Sequence, residues 1–113
     1  DKDELPWYVY GKNISKNEIY VCQGVDNQLL YTENIILDNI HWINKLKKFK
    51  NLDCLVQIRH RHKPVKCIIE FNKGFRVMFD EEIRGVAPGQ SAVFYKDNLC
   101  LGGGVIEARN NDL

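Results

Sequence analysis

With 113 residues, 44% hydrophobic and 27% charged, the chain has room for one ordinary domain, or one small domain with an appendage, and its balance excludes wholesale disorder. A net charge of +1 excludes a strongly basic nucleic-acid binder acting through bulk charge, so any such contact must come from local clusters. The apolar stretches are short and broken by charge, well below the ~20 residues that span a bilayer, and the acidic, polar start Asp1-Lys2-Asp3-Glu4-Leu5 is no signal peptide. Without an initiator Met, that start reads as the start of a fragment or a processed chain.

The pattern is almost all β. Trp7 to Tyr10 is an aromatic and β-branched run closed by the turn signal Gly11-Lys12-Asn13, with Glu18 to Gln23 as its hairpin partner ending at Gly24. Ile35 to Ile43, rich in Ile and Trp, reads as one further strand. Trp7 and Trp42 read as core anchors of this first unit. The stretch from Lys45 to Asn51 carries four lysines and breaks the β pattern, which predicts a linker between two units.

Beyond it, Asp53 to His62 alternates as a long strand. Val56, Ile58 and His60 point one way, and Leu55, Gln57, Arg59 and Arg61 the other. Lys63-Pro64 starts a turn, because Pro cannot donate to a central ladder. Val65 to Phe71 and Phe75 to Phe79 are joined by the hairpin signal Asn72-Lys73-Gly74. Asp80-Glu81-Glu82 reads as a solvated, turn-like charge cluster rather than paired general acid and base. Ala87-Pro88-Gly89-Gln90 is a turn, followed by Ser91 to Tyr95, the turn Lys96-Asp97-Asn98, and Leu99 to Glu107. Five or six short, evenly spaced strands without a helical period predict a small closed β-barrel. Gly102-Gly103-Gly104 is costly inside a strand, which predicts a bend or a close backbone approach; a phosphate loop is disfavoured because no helix follows.

The candidate chemistry is sparse. Arg59-His60-Arg61-His62-Lys63 is the one dense basic cluster. On a strand Arg59 and Arg61 share a face about 7 Å apart, the spacing of successive phosphates. RNA contact and a solvated strand face are both open for it. His60 and His62 with Cys67 lack a fourth ligand at a recognisable spacing, so no metal site is predicted. The four cysteines (Cys22, Cys54, Cys67 and Cys100) are unevenly spaced, lack a CxxC pair and sit in apolar runs. They read as buried, reduced thiols. No nucleophile with a local base and no phosphate loop is present, so the residues themselves describe a binding module.

Several strings, in order and spacing, resemble one family: Leu5-Pro6-Trp7-Tyr8-Val9, the Asn34 to Asn44 stretch, Ile58-Arg59-His60-Arg61-His62, the run from Ala87 to Tyr95, and Cys100 to Ile106. Together, from about Leu5 to Glu107, they are similar to the tail of the tRNA-specific 2-thiouridylases, also called tRNA (5-methylaminomethyl-2-thiouridylate)-methyltransferases. The resemblance implies an all-β fold: residues 1–44 as the end of a central domain, 45–51 as linker, and 52–113 as a closed carboxy-terminal barrel resembling domain 2 of elongation factor Tu. It implies a cytoplasmic enzyme that uses ATP with Mg to activate the C2 oxygen of the wobble uridine of tRNA. That oxygen is then replaced by sulfur carried as a persulfide and supplied by a sulfur-relay donor protein.

The catalytic cysteines and nucleotide loop of such an enzyme lie upstream, so the resemblance implies no catalytic residue and no cofactor here. It implies RNA contacts at Arg59 and His60 and at Gln90; Arg61, on the same strand face as Arg59, is the further candidate from the basic cluster itself. His60 stands where the family usually has Tyr, which keeps a planar ring and loses a phenolic hydrogen bond. For Gln90 the residues alone leave open an amide that caps a loop carbonyl; the resemblance favours an RNA contact. A barrel acting as a protein-interaction module is the competing function, and a contiguous apolar surface patch would favour it.

Overall fold

Among the described residues, period-two alternation carries into ten strands. They are β1 (Trp7–Asn13), β2 (Glu18–Gln23), β3 (Tyr31–Leu37), β4 (His41–Trp42), β5 (Asn51–Gln57), β6 (Val65–Phe71), β7 (Phe75–Arg84), β8 (Ser91–Lys96), β9 (Leu99–Val105) and β10 (Ala108–Arg109). The computed structural model describes residues 5–25, 27–43, 50–58, 63–71 and 74–109. A 3-10 turn, Gln28–Leu30, enters β3; the Asn27 side chain caps it by accepting from the Leu29 N–H at 2.9 Å.

β1 and β2 form a separate two-stranded sheet, and the other strands form one antiparallel sheet in the order β10-β3-β7-β6-β5-β8-β9-β4. Sequence connectivity forces that sheet to curl. β10 follows the end of β9 by three residues yet lies at the opposite edge, and β4 follows β3 by four residues with the same jump. Three or four residues span at most about 10–14 Å, so the two edges must approach one another. The Glu107 N–H donates to the Ile36 carbonyl at 2.8 Å where the connection from β9 arrives beside β3. Among the described residues no ladder joins β10 to β4, so the fold is a strongly curled sheet bridged by two short connections.

The concave side holds the core. Ile35 and Leu37 of β3, Ile69 of β6, Val77 of β7 and Ala92 and Phe94 of β8 have no exposed surface, and Val56, Val86 and Ile106 join them. Each Val, Leu, Ile or Phe side chain so buried contributes about 1.5–3 kcal/mol, and the Ala92 methyl less. The three glycines admit a close approach. A Cβ on Gly102 or Gly104 would fall on the carbonyl of His41 or Asn39, and one on Gly103 would lie 2.8 Å from the Ala92 carbonyl. Gly102 also has φ +153°, so a side chain there is strained as well as crowded. Carbonyls line this run, which therefore repels a phosphate instead of cradling it.

Several expectations need correction. The predicted linker does not separate two sheets: β3 pairs with β7 and β4 with β9, so residues 31–42 belong with the strands after residue 50. Residues 44–49 of that segment lie outside the described residues, and Asn51 already opens β5. The strand read from Ile35 to Ile43 is two strands, broken at Asp38-Asn39-Ile40, where the chain crosses between the sheet edges. β1 runs through Gly11-Lys12-Asn13 by a bulge after Val9, and its turn lies at Ile14–Asn17. The acidic run Asp80–Glu82 sits inside β7, but as an irregularity. Opposite Thr32 to Asn34, the ladder jumps from Ile83 to Met78, looping the carboxylates outward.

Trp7 is no core anchor. It is 65% exposed, and β1 and β2 set Trp7, Val9, Ile19 and Val21 on one outward apolar face. The opposite face carries buried Cys22 and the stacked rings of Tyr10 and Tyr20. Trp42 does pack on the core, edge-on to Phe75 at 5.9 Å.

Candidate nucleic-acid interface

Strand register brings the exit of β5 and the turn ending at Gln90 to one end of the sheet. Arg59, His60 and Arg61 themselves, with His62, lie outside the described residues. β5 delivers the chain to them: Gln57, its last residue, pairs with Val93 of β8. Ser91 begins β8, so the exit of β5 and the turn ending at Gln90 share one end of the sheet. Lys63 and Pro64, which lead into β6, are exposed.

The turn is tightly built. Pro88 and Gly89 occupy its centre, Gly89 with φ +93°, the pattern that Pro at the second and Gly at the third turn position produces. The Gln90 N–H donates to the Ala87 carbonyl at 3.3 Å, and the Ala87 N–H donates to Gln90 Oε1 at 2.8 Å. Reciprocal bonds of 2.8 Å, Gly89 N–H to Ile106 carbonyl and Ile106 N–H to Gln90 carbonyl, tie it to the connection after β9. The Gln90 amide is thus split between roles: its oxygen closes the turn, while its Nε2 makes no hydrogen bond among the described residues. The structural alternative for Gln90 is realised on an N–H, not on a carbonyl.

Two arginines that hold this end together carried no sequence signal. Arg109 is fully buried, donating Nη1 to the Val86 carbonyl at 3.0 Å and Nη2 to the carbonyls of Leu29 and Tyr31 at 2.7 and 2.9 Å. It lies beyond the predicted end of the last strand, and nothing in its neighbours distinguishes it from a surface arginine. Arg84 donates Nε to the Val25 carbonyl at 2.8 Å and stacks over the Tyr8 ring at 5.3 Å. It fastens the β1–β2 hairpin to β7 and is not placed for phosphate.

All four cysteines are free thiols, three of them buried. Cys54 and Cys67 face one another with sulfurs 3.7 Å apart. Among the described residues no group of three His, Cys, Asp or Glu side chains is placed to hold a metal ion.

A curled antiparallel sheet with its core on the concave side defines a β-barrel-type domain without a catalytic constellation among its described residues. The chain belongs to the family of the aminomethyltransferase beta-barrel domain, which it matches over residues 32–106. Nearly its whole length is similar to tRNA-specific 2-thiouridylases. It is 40% identical to that of Idiomarina loihiensis over 99% of this chain and 31% of the relative. The protein of Buchnera aphidicola subsp. Acyrthosiphon pisum is 43% identical over 93% and 29%, and that of Haemophilus influenzae 41% over 91% and 27%. The resemblance read from the motifs is therefore correct. The chain spans about three tenths of the length of the curated relatives it matches. The matched domain begins at Thr32, across the boundary predicted at residues 45–51.

Proposed function

We propose that the chain is the carboxy-terminal, tRNA-positioning part of an ATP-dependent tRNA-uridine 2-sulfurtransferase that makes 2-thiouridine at the wobble position. The observation that carries this reading is the identity of about 40%, along nearly the entire chain, to proteins named for that modification. In this reading the end of the sheet holding the β5 exit and the Gln90 turn meets tRNA. Arg59 and Arg61 contact phosphates, His60 stacks on a base or sugar, and Gln90 uses its Nε2 amide. The sheet closes as a barrel of the kind found in domain 2 of elongation factor Tu. The domain boundary falls between the β1–β2 hairpin and β3, leaving the hairpin as the end of the central domain.

The described residues do not fit ATP with Mg. The glycine run is lined by carbonyls and the carboxylates do not converge on a metal position. Nucleotide, catalytic cysteines and sulfur-relay donor therefore belong to the remainder of the longer protein, and this chain alone forms no 2-thiouridine. The enzyme works in the cytoplasm; no helix of the described residues is long and apolar enough to cross a membrane.

A second reading, a protein contact, is favoured at a different place. The outward face of Trp7, Val9, Ile19 and Val21, each 48–68% exposed, is a contiguous apolar patch on the hairpin. It serves contact with the preceding part of the longer protein, while the Gln90 turn and the exit of β5 serve RNA.

The test is tRNA binding by the full-length protein across a salt series, with Arg59→Ala and Arg61→Ala singly and together. Each exposed phosphate contact is worth about 1 kcal/mol, so each change should weaken binding roughly 5-fold and flatten the salt dependence. Unchanged affinity and salt slope in the folded double variant would refute the basic-strand assignment.

A further inference from the structure

Cys54 on β5 and Cys67 on β6 are direct partners in their ladder, with sulfurs 3.7 Å apart. Directly opposed residues of antiparallel strands point to the same side, with Cα atoms about 4.5–5.5 Å apart. That separation lies inside the range spanned by disulfides, so modest side-chain rotation brings the sulfurs to the bonding distance of about 2.05 Å. Both thiols are buried, yet both line a cleft of about 320 Å³ rimmed by Lys66, Lys96, Asp53 and Asp80. Such a cleft admits a water-sized oxidant. We propose that Cys54 and Cys67 are a redox-modification site, joined by a reversible disulfide when a hydroperoxide enters this cleft.

The pair is asymmetric in the way such chemistry needs. The hydrogen bond between the two thiols, helped by the charge of Lys96, holds the Cys54 thiol below its ordinary range against the opposing effects of burial and Asp53. The same hydrogen bond, with burial, pushes the Cys67 thiol up. Cys54 is accordingly the attacking sulfur and Cys67 the resolving one. The Cys54 thiolate attacks a peroxide oxygen, the O–O bond breaks, and the departing hydroxide is protonated to water, leaving a sulfenic acid. Cys67 then gives up its proton and attacks the Cys54 sulfur. The S–O bond breaks and the second hydroxide leaves with that proton as water. Two thiols lose two electrons and one hydrogen peroxide becomes two waters. The new bond joins the base of the β5–β6 segment, between whose ends the basic residues Arg59 to Lys63 lie in sequence.

The experiment oxidises the complete, folded protein with hydrogen peroxide, blocks remaining thiols with iodoacetamide, and maps peptides before and after dithiothreitol. The expected product is a Cys54–Cys67 linked peptide, lighter by two hydrogens than its parts and released by the reductant. In Cys67→Ala the link is lost and Cys54 is trapped by dimedone as a sulfenic acid. Should that variant fail to fold, wild-type mapping decides alone. Either of two results overturns the proposal: both thiols staying free under conditions that oxidise glutathione, or the link forming only in unfolded protein.

Discussion

Replacing Arg109 by methionine keeps most of the buried volume and removes a guanidinium that binds three main-chain carbonyls. Two effects oppose. Burying a cation costs several kcal/mol, and its removal recovers that cost. The carbonyls of Leu29, Tyr31 and Val86 cannot be removed, however, and each loses a charge-assisted bond worth about 1.5–3 kcal/mol. The Val86 bond is buried while the other two are only partly so, and water can replace them in part. The orphaned carbonyls outweigh the relieved desolvation, for a net loss of about 2–4 kcal/mol. At this chain length 1 kcal/mol moves Tm by about 4 °C, so calorimetry should show a fall of roughly 8–16 °C. Arg109→Lys, which keeps the charge and loses the fork, should fall between. A change below about 3 °C in Arg109→Met would show that the guanidinium is dispensable and the reasoning wrong.

Gly104→Ala should cost about 1–3 kcal/mol in urea unfolding, because its Cβ meets the Asn39 carbonyl and, at 2.8 Å, Leu37 Cδ2; wild-type stability would show that the β9 crossing is loose. Gln90→Ala should lose about 0.5–1.5 kcal/mol with the acceptor for the Ala87 N–H. Gln90→Glu keeps that acceptor, so it should melt near wild type while binding tRNA several-fold more weakly; unchanged affinity would confine Gln90 to the turn. Trp7→Ser should leave the Tm of this chain within about 2 °C, since Trp7 is 65% exposed. A larger drop would place the indole in the fold of the chain itself.

Local pattern was enough for most strands. Alternation and turn residues placed β2, β6 and β8 within a residue of their ends, because side-chain period and turn chemistry are written in neighbours. Asp97 and Asn98 both take positive φ, as a two-residue hairpin turn requires of the predicted turn there. The glycine run was legible as a close approach because a missing Cβ is a local fact, although what approaches it, the backbone of residues 39–42, is not.

What sequence could not decide was partnership. Nothing in Tyr31–Trp42 says that it pairs with β7 and β9 rather than with the hairpin before it, so a lysine-rich stretch looked like a boundary within what is one sheet. The exposure of Trp7 and the burial of Arg109 fail to read for the same reason. Whether a large ring or a cation is buried depends on which carbonyls and apolar faces arrive from distant chain positions, and those are set by ladder register. The amino acids themselves determined strand content, most turn positions and family. The curl of the sheet decided which face was inside, because how far a sheet curls is a property of all its strands together.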